Sequence, residues 1–280
     1  MRVVIEGGGC RSAYSSGVLQ VLAESGVEVD SVVGSSSGSM NAAFFAAGQT
    51  DHMVELWRDE RVARRMVSVA RFLNPFAPPG LNVDDLVDNV LNREGNLDPV
   101  AATSSKTALY TMAVNIDEMR PVAHRPNAEN LWCWLRASMA MPLAYNKMVE
   151  IEGKKYVDGG VLEPVPFKTD LPPPPNGTTV VVLTRRAEVR KPAPPVWAKW
   201  LMRMTTHPKV FDATLVQHEY HNSLMDELVR LNQEGSVILV EPPVGMPVSR
   251  LTTDGEKLRQ GHEIGRSVGE DLLRLLEKRL

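Results

Sequence analysis

The sequence predicts an α/β fold with a central, mostly parallel sheet flanked by helices. Three observations predict it. Short β-branched runs alternate with helical patterns over the first fifty residues. Glycine-rich turns close the first two strands. The length, 280 residues at 43% hydrophobic, supplies core for one large domain. The formal charge of −3 gives no electrostatic reason to expect nucleic acid as a partner. Two cysteines, Cys10 and Cys133, are too few for a disulfide framework or a four-ligand zinc site. With no secretory pattern and no apolar run of about 18 residues, a cytoplasmic location is expected.

"RVVI" at 2–5 reads as the first strand, and the triple glycine Gly7-Gly8-Gly9 ends it. Val18, Leu19 and Leu22 then recur at helical spacing from Arg11 to about Glu24, with Gly26 as the stop. "VDSVVGSSSG" gives a second strand and its turn, and "SMNAAFFAAG" a small-residue helix that ends at Gly48. Two strands joined by one helix are parallel with a right-handed crossover, so both turns emerge at the carboxyl edge of the sheet, where α/β proteins bind ligands.

Further on, "HMVELWRDERVARRMVSVARFL" reads as one helix broken by "NPFAPPGLN", and "VDDLVDNVLN" as a short helix. "TALYTMAVNI" is a strand, "ENLWCWLRASMAMP" a helix ended by Pro142, and "MVEIEGKKYVDGG" a hairpin turning near Gly153. "PPPP" at 172–175 is a stiff connector before the strand "TTVVVLTRR". After a proline-interrupted stretch come a helix from about Phe211 to Gln233, a strand "SVILVEPP" and a final helix. Residues 1–185 form the core, and 186–280 the rest of the same domain.

Gly34-Ser35-Ser36-Ser37-Gly38 has the form G-x-S-x-G between a strand and a helix, the context in which a nucleophile sits on a tight turn. Gly34 and Gly38 remove side chains that would collide there. Gly7, Gly8 and Gly9 end the neighbouring strand and can present N–H groups across from Ser36, as an oxyanion requires. The same loop read as a phosphate cradle lacks the third glycine of G-x-G-x-x-G, Ser12 standing there, and no Walker lysine follows.

An activated serine needs a base. Of six histidines, His218 and His221 fall inside a polar helix and His262 inside the last one, positions that suit solvated surface. The chain order also departs from that of α/β-hydrolases. Asp158, in "YVDGG", ends a strand before Gly159 and Gly160. It is either a base held by close backbone packing or an ordinary Asp-Gly turn.

Taken in order, Gly7-Gly8-Gly9-Cys10-Arg11, Gly34-Ser35-Ser36-Ser37-Gly38 and Asp158-Gly159-Gly160 resemble the motifs of the patatin-like phospholipase family, in its bacterial branch. "LRASMAMPLAY" and "MNAAFFAAGQ" are similar to family segments as well. The resemblance is strong over residues 1 to about 185. It implies a three-layer fold and a serine acylhydrolase that cleaves lipid esters, with no metal or cofactor. Ser36 would be the nucleophile and Asp158 the base, with Gly8, Gly9, Cys10 and Arg11 lining the oxyanion side. Ser12 stands where the family commonly has glycine, and Ser37 where alanine is frequent. A non-catalytic lipid- or nucleotide-binding module that keeps the loop geometry is the alternative.

An aspartate with its ordinary pKa of about 3.9 is a weak base toward an alcohol, so Asp158 should be partly desolvated. Lipid substrates call for an apolar approach, for which "VARFLNPFAPPGL" and "PPVWAKWLMRM" are candidates. The second carries Trp197, Trp200, Leu201, Met202 and Met204 beside Lys199 and Arg203. It either packs on the core or touches a membrane as a peripheral contact. Cys10 reads as a small spacer or, at a helix N-terminus, as a thiol of lowered pKa.

Overall fold

The computed structural model describes residues 1–67, 80–142, 144–145, 147–168, 170–175 and 177–278. Its sheet has eight strands: β1 (Arg2–Ile5), β2 (Ser31–Ser35), β3 (Ala108–Asn115), β4 (Arg120–His124), β5 (Val149–Ile151), β6 (Lys154–Asp158), β7 (Thr179–Val182) and β8 (Ile238–Val240). The path runs β5-β6-β3-β2-β1-β7-β8, with β4 also on β3. β3, β2, β1, β7 and β8 pair in parallel, while β4, β5 and β6 join antiparallel.

The central strands are short apolar runs because both of their faces are covered. Val3, Ile5, Val32, Val180 and Val182 share one core with helices α1 (Ser12–Ser25) and α2 (Ser37–Ala46). The alternate residues Val4, Val33, Val181 and Leu183 share a second core with Leu224, Met225 and Leu228 of a 26-residue helix. Period-two alternation thus sends successive valines into opposite layers. The result is the expected arrangement of helices on both faces of a mostly parallel sheet.

The turn after β1 is a 3-10 turn, Gly9–Arg11, that leads into α1, and Gly26 closes α1 at φ 69°. The region read as one helix from residue 52 is two, α3 (Thr50–Arg58) and α4 (Glu60–Met66). Asp59 leaves the helical region, and its side chain accepts the Arg61 N–H to cap α4. Residues 68–79, which include most of "VARFLNPFAPPGL", lie outside the described residues.

Helix α5 (Val83–Asp85) continues as a π-helical segment, Leu86–Glu94, and α6 (Pro99–Ser104) and β4 were not foreseen. Helix α7 (Leu131–Met139) ends three residues before Pro142, so the proline is not its terminator. Glu152 at φ 51° and Gly153 at φ 74° form the tight turn of the β5–β6 hairpin.

The proline-interrupted stretch includes one helix and leads into a second. Helix α8 (Val196–Thr205) starts directly after Pro195, and α9 (Pro208–Gln233) takes Pro208 at its first turn, where a missing N–H costs nothing. Helix α10 (Gly255–Glu277) packs on α1, the Gly17 and Gly265 positions lying against each other's backbone. Among the described residues no helix is long and apolar enough to cross a membrane.

Candidate active site

Strand register brings Ser36 and Asp158 together. On β3, Ala113, Val114 and Asn115 pair with both β4 and β6, so those strands occupy opposite edges. Thr111 and Met112 pair with β4 and β2, which puts β2 on the β6 edge. Ser35 faces Met112 and Asp158 faces the next residue, Ala113. The carboxyl ends of β2 and β6 therefore meet head to head. The Ser36 hydroxyl donates to Asp158 Oδ2 at 2.7 Å.

Ser36 precedes α2 at φ 54°, ψ −129°, a backbone region that L-residues rarely occupy. The turn is held from several sides. The Ser36 N–H donates to Ser138 Oγ at 3.0 Å, and Ser39 Oγ lies 2.6 Å from Ser138 Oγ and donates to the Gly34 carbonyl. Side chains on Gly34 or Gly38 would collide, as expected: Gly34 packs on the Gly38 backbone, and Gly38 on the carbonyls of Ile5 and Glu6. Gly7 is where β1 abuts the turn, since a methyl there would sit 2.7 Å from the Ser35 carbonyl oxygen and 2.9 Å from Ser36 Cβ. That close approach accounts for the first of the three glycines.

Asp158 is fully buried. Its Oδ1 accepts the Gly160 N–H at 2.6 Å, its own N–H donates to the Ala140 carbonyl, and Gln217 donates to the Gly160 carbonyl. Gly159 opens a 3-10 turn, Gly159–Val161. Burial pushes the Asp158 carboxyl up to about 6, against the hydrogen bonds from Ser36 and Gly160 and the charge of Arg250. The hairpin turn itself lies at residues 152–153; Asp158 ends β6, and its side chain both caps the 3-10 turn that follows and accepts the Ser36 hydroxyl. An alcohol bonded to such a carboxylate can pass on its proton as its oxygen attacks an electrophile.

The main-chain amides of the glycine loop are differently engaged. Gly7 donates to the Pro164 carbonyl, Gly8 to Ser37 Oγ at 3.1 Å, Cys10 to the Arg250 carbonyl and Arg11 to the Gly8 carbonyl. The Gly9 N–H, at φ 58°, has no partner among the described residues. Ser12 Oγ and Ser37 Oγ lie 2.7 Å apart, buried, so the two serines contact each other and Ser37 holds the Gly8 amide. Burial raises Cys10 to about 12, which makes it a neutral spacer and not an activated thiol.

A cavity of about 390 Å³ opens on these groups. Gly7, Gly8, Gly9, Ser36, Asp158 and Gly160 line it beside apolar Val67, Leu81, Met141, Pro142, Val161 and Met202.

The family profile described as "Patatin-like phospholipase" matches residues 3–171. The chain belongs to the patatin-like phospholipase family. A second profile, a domain of unknown function (DUF6363), matches residues 207–280. Among curated relatives, the uncharacterized protein YjjU of Escherichia coli K12 is 26% identical, covering 99% of this chain and 78% of its own. The uncharacterized NTE family protein Rv1063c of Mycobacterium tuberculosis H37Rv is 28% identical, covering 70% of this chain and 53% of its own. The lysophospholipase nte1 of Aspergillus terreus is 28% identical over 58% of this chain and 10% of its own. The patatin-like chain thus spans about half the length of the mycobacterial relative and a tenth of the fungal one. Among solved structures, VipD from Legionella pneumophila aligns with 98% of this chain and 66% of its own, at 15% identity and TM-score 0.48.

Two histidines of this patatin-like chain are not where a solvated surface was expected. His262 is fully buried, bonded to Ser16 Oγ at 2.9 Å and Gln20 Oε1 at 3.1 Å across the α1–α10 contact. His221 is 1% exposed and lies 2.6 Å from Arg185 Nη2. His218, with 18% of its side chain exposed, is also largely covered. A polar helix buries a histidine wherever a facing element supplies a partner, and that partner is remote in sequence. The hydrogen bond from the Ser36 hydroxyl goes to Asp158 and to none of them.

Several residues of the site carried no local signal. Glu6 follows β1, and its Oε2 accepts the N–H and hydroxyl of Thr184, just beyond β7, at 2.6 and 2.9 Å, tying the carboxyl ends of the two strands together. Ser138 and Gln217 hold the turns beneath Ser36 and Asp158. Ser138 lies in the "LRASMAMP" segment that carries the family resemblance, the one sequence signal that pointed to it.

Proposed function

We propose that the protein is a serine acylhydrolase that cleaves carboxylic esters of lipids through Ser36 and Asp158. The observation that carries the reading is the 2.7 Å hydrogen bond from the Ser36 hydroxyl to a buried carboxylate on the wall of a largely apolar cavity. Ser36 Oγ attacks the ester carbonyl while its proton passes to Asp158 Oδ2. The oxyanion forms beside the amino end of α2, whose dipole favours negative charge, and takes the Gly9 N–H. Gly8 adds its N–H once it leaves Ser37, whereas the amides of Gly7, Cys10 and Arg11 remain within the fold.

Asp158 then returns the proton to the departing alcohol, leaving an acyl-serine. Water gives a proton to Asp158 and attacks the acyl group, and collapse of that adduct releases the acid as the departing Ser36 oxygen takes the proton back from Asp158. Lysophospholipase relatives support a lipid ester as substrate. In purified protein, Ser36→Ala abolishes hydrolysis of a p-nitrophenyl ester and labelling by a fluorophosphonate probe. Wild-type turnover in that variant rejects the assignment, and a wild type that the probe does not label supports a binding module instead.

The same proposal includes peripheral contact with a lipid surface. On α8, Val196, Trp197, Trp200 and Met204 are 83, 71, 65 and 67% exposed, so these side chains do not pack on the core. Met202 of the same helix is buried and lines the cavity. A helix with indole rings facing outward beside Lys199 and Arg203 suits the headgroup region and leads directly to the acyl pocket. Replacing both Trp197 and Trp200 by alanine should cut co-sedimentation with anionic vesicles by about tenfold or more. Equal binding of wild type and variant argues against this contact.

A further inference from the structure

The Ser36 turn explains the first glycine of the loop, and Arg250 explains the third. A methyl on Gly9 would sit 2.7 Å from the Arg250 carbonyl oxygen and 3.0 Å from its Cγ. The same carbonyl accepts the Cys10 N–H at 3.0 Å. Arg250 is thus docked on the glycine loop by its main chain and by the stem of its side chain. Its own segment is fixed at both ends. Val248 is buried against Gly261 of α10, Ser249 and Thr252 bond to each other, and Asp254 caps α10 by accepting the Lys257 N–H.

The exposed side chain that leaves this dock lines the cavity holding Ser36 and Asp158. Among the described residues its guanidinium makes no ion pair or hydrogen bond. Arg11 at the head of α1, and Arg185 and Lys191 beyond β7, feel its charge as repulsion. Glu6 opposes those three and is bonded to Thr184. Asp158 feels Arg250 as attraction. Burial pushes the Asp158 carboxyl up to about 6, while the hydrogen bonds from Ser36 and Gly160 and then Arg250 pull it down. Of these three, Arg250 alone carries a charge, and it acts through space.

We propose that Arg250 is a positioning residue for ester hydrolysis, held on the glycine loop so that its positive charge keeps Asp158 an acceptor for the Ser36 proton. The proposal rests on the Ser36–Asp158 hydrolase reading and adds a residue to it. A carboxyl buried so deeply tends to stay protonated, and a protonated Asp158 cannot take a proton from Ser36. A fixed cation at the rim of the cavity offsets part of that cost. It does so without occupying either carboxylate oxygen, which Ser36 and Gly160 already use. Arg250 also lies outside residues 3–171, matched by the patatin-like profile, and inside 207–280, matched by the domain of unknown function. That C-terminal segment therefore delivers a charge to a catalytic pair built wholly by the other one.

The test is the pH dependence of kcat/KM for a neutral p-nitrophenyl ester in the full chain. Removing a positive charge raises the pKa of a nearby acid, so the acid limb of Arg250→Gln should lie above the wild type's by about half a unit or more. Arg250→Lys keeps the charge and should keep the limb at the wild-type position. The limb is read between about pH 5 and pH 7, where burial leaves Lys191, pushed down to about 8, charged and His221, pushed down to about 4, neutral. Asp158→Asn, which lacks the limb, identifies its owner. Thermal melts of Arg250→Gln across that range should stay within about 2 °C of the wild type, because the side chain is exposed and the carbonyl bond to Cys10 remains. A limb that does not move in Arg250→Gln, whether turnover falls evenly or not at all, overturns the proposal and leaves the hydrolase intact. A limb that moves equally in Arg250→Lys shows that fit and not charge matters, and overturns it too. Absence of both turnover and fluorophosphonate labelling in the wild type rejects the hydrolase reading itself, and the role of Arg250 with it.

Discussion

Asp158→Asn lowers kcat for a p-nitrophenyl ester by about 10²–10⁴-fold, the range expected for removal of a general base. An asparagine keeps the bond from the Gly160 N–H through its oxygen, but it turns a donor toward Ser36 where the carboxylate accepts. The loss therefore reports proton transfer and leaves the turn in place. In the wild type, kcat/KM rises with pH up to about 6 and is then level, because the buried carboxyl must ionise to act. The variant's residual rate lacks that acid limb. A wild-type rate that does not change between about pH 5 and pH 7 removes Asp158 from the role.

The same substitution has a stability signature of opposite sign. The folded Asp158 carboxyl titrates at about 6 against 3.8 in the ordinary state, so the folded state disfavours its charge. The stability associated with the protonated form is present below 3.8 and is lost as pH rises to about 6. At neutral pH the neutral asparagine avoids that loss, and a thermal melt of Asp158→Asn should lie at or above the wild type. A large fall in Tm contradicts the burial cost described here.

Gly34→Ala has the largest expected effect on the fold. A methyl there would enter the backbone of Gly38, and neither β2 nor the first turn of α2 can yield, since every residue of both is buried. Overpacking against backbone costs about 3 kcal/mol or more, a Tm lower by roughly 6–10 °C. Ester turnover falls with it, because the Ser36 turn is the part displaced. Loss of stability and turnover together separates this variant from Asp158→Asn, which loses turnover alone. Wild-type Tm and turnover in Gly34→Ala would show that β2 and α2 have room to separate.

The glycine loop and the Ser36 turn were legible because each answers a local steric need, a strand end and a tight reversal, whereas Asp158-Gly159-Gly160 read locally as either a base or a turn and only the family resemblance favoured the base. The parallel pairing of β1 and β2 was legible for the same reason, since one helix between two strands allows a single handedness. The break at Asp59 was missed because the apolar spacing runs on through it, and only the cap to Arg61 reveals it. Of the glycine loop's amides, the sequence names all as donors. Only the partners Pro164, Ser37 and Arg250, each far along the chain, show which are already engaged.

Sequence by itself determined the α/β class, the two strand-turn-helix units and the residues at their tips, because glycine spacing and apolar periodicity act over a few residues. Tertiary structure alone decided that β2 and β6 end against each other on β3, which joins Ser36 to a carboxylate 122 positions away. It also decided that His221 is inside and that Arg185, Lys191 and Arg250 share one cavity with Ser36. A side chain's charge state and exposure depend on what packs against it, and those neighbours come from segments that no local pattern connects.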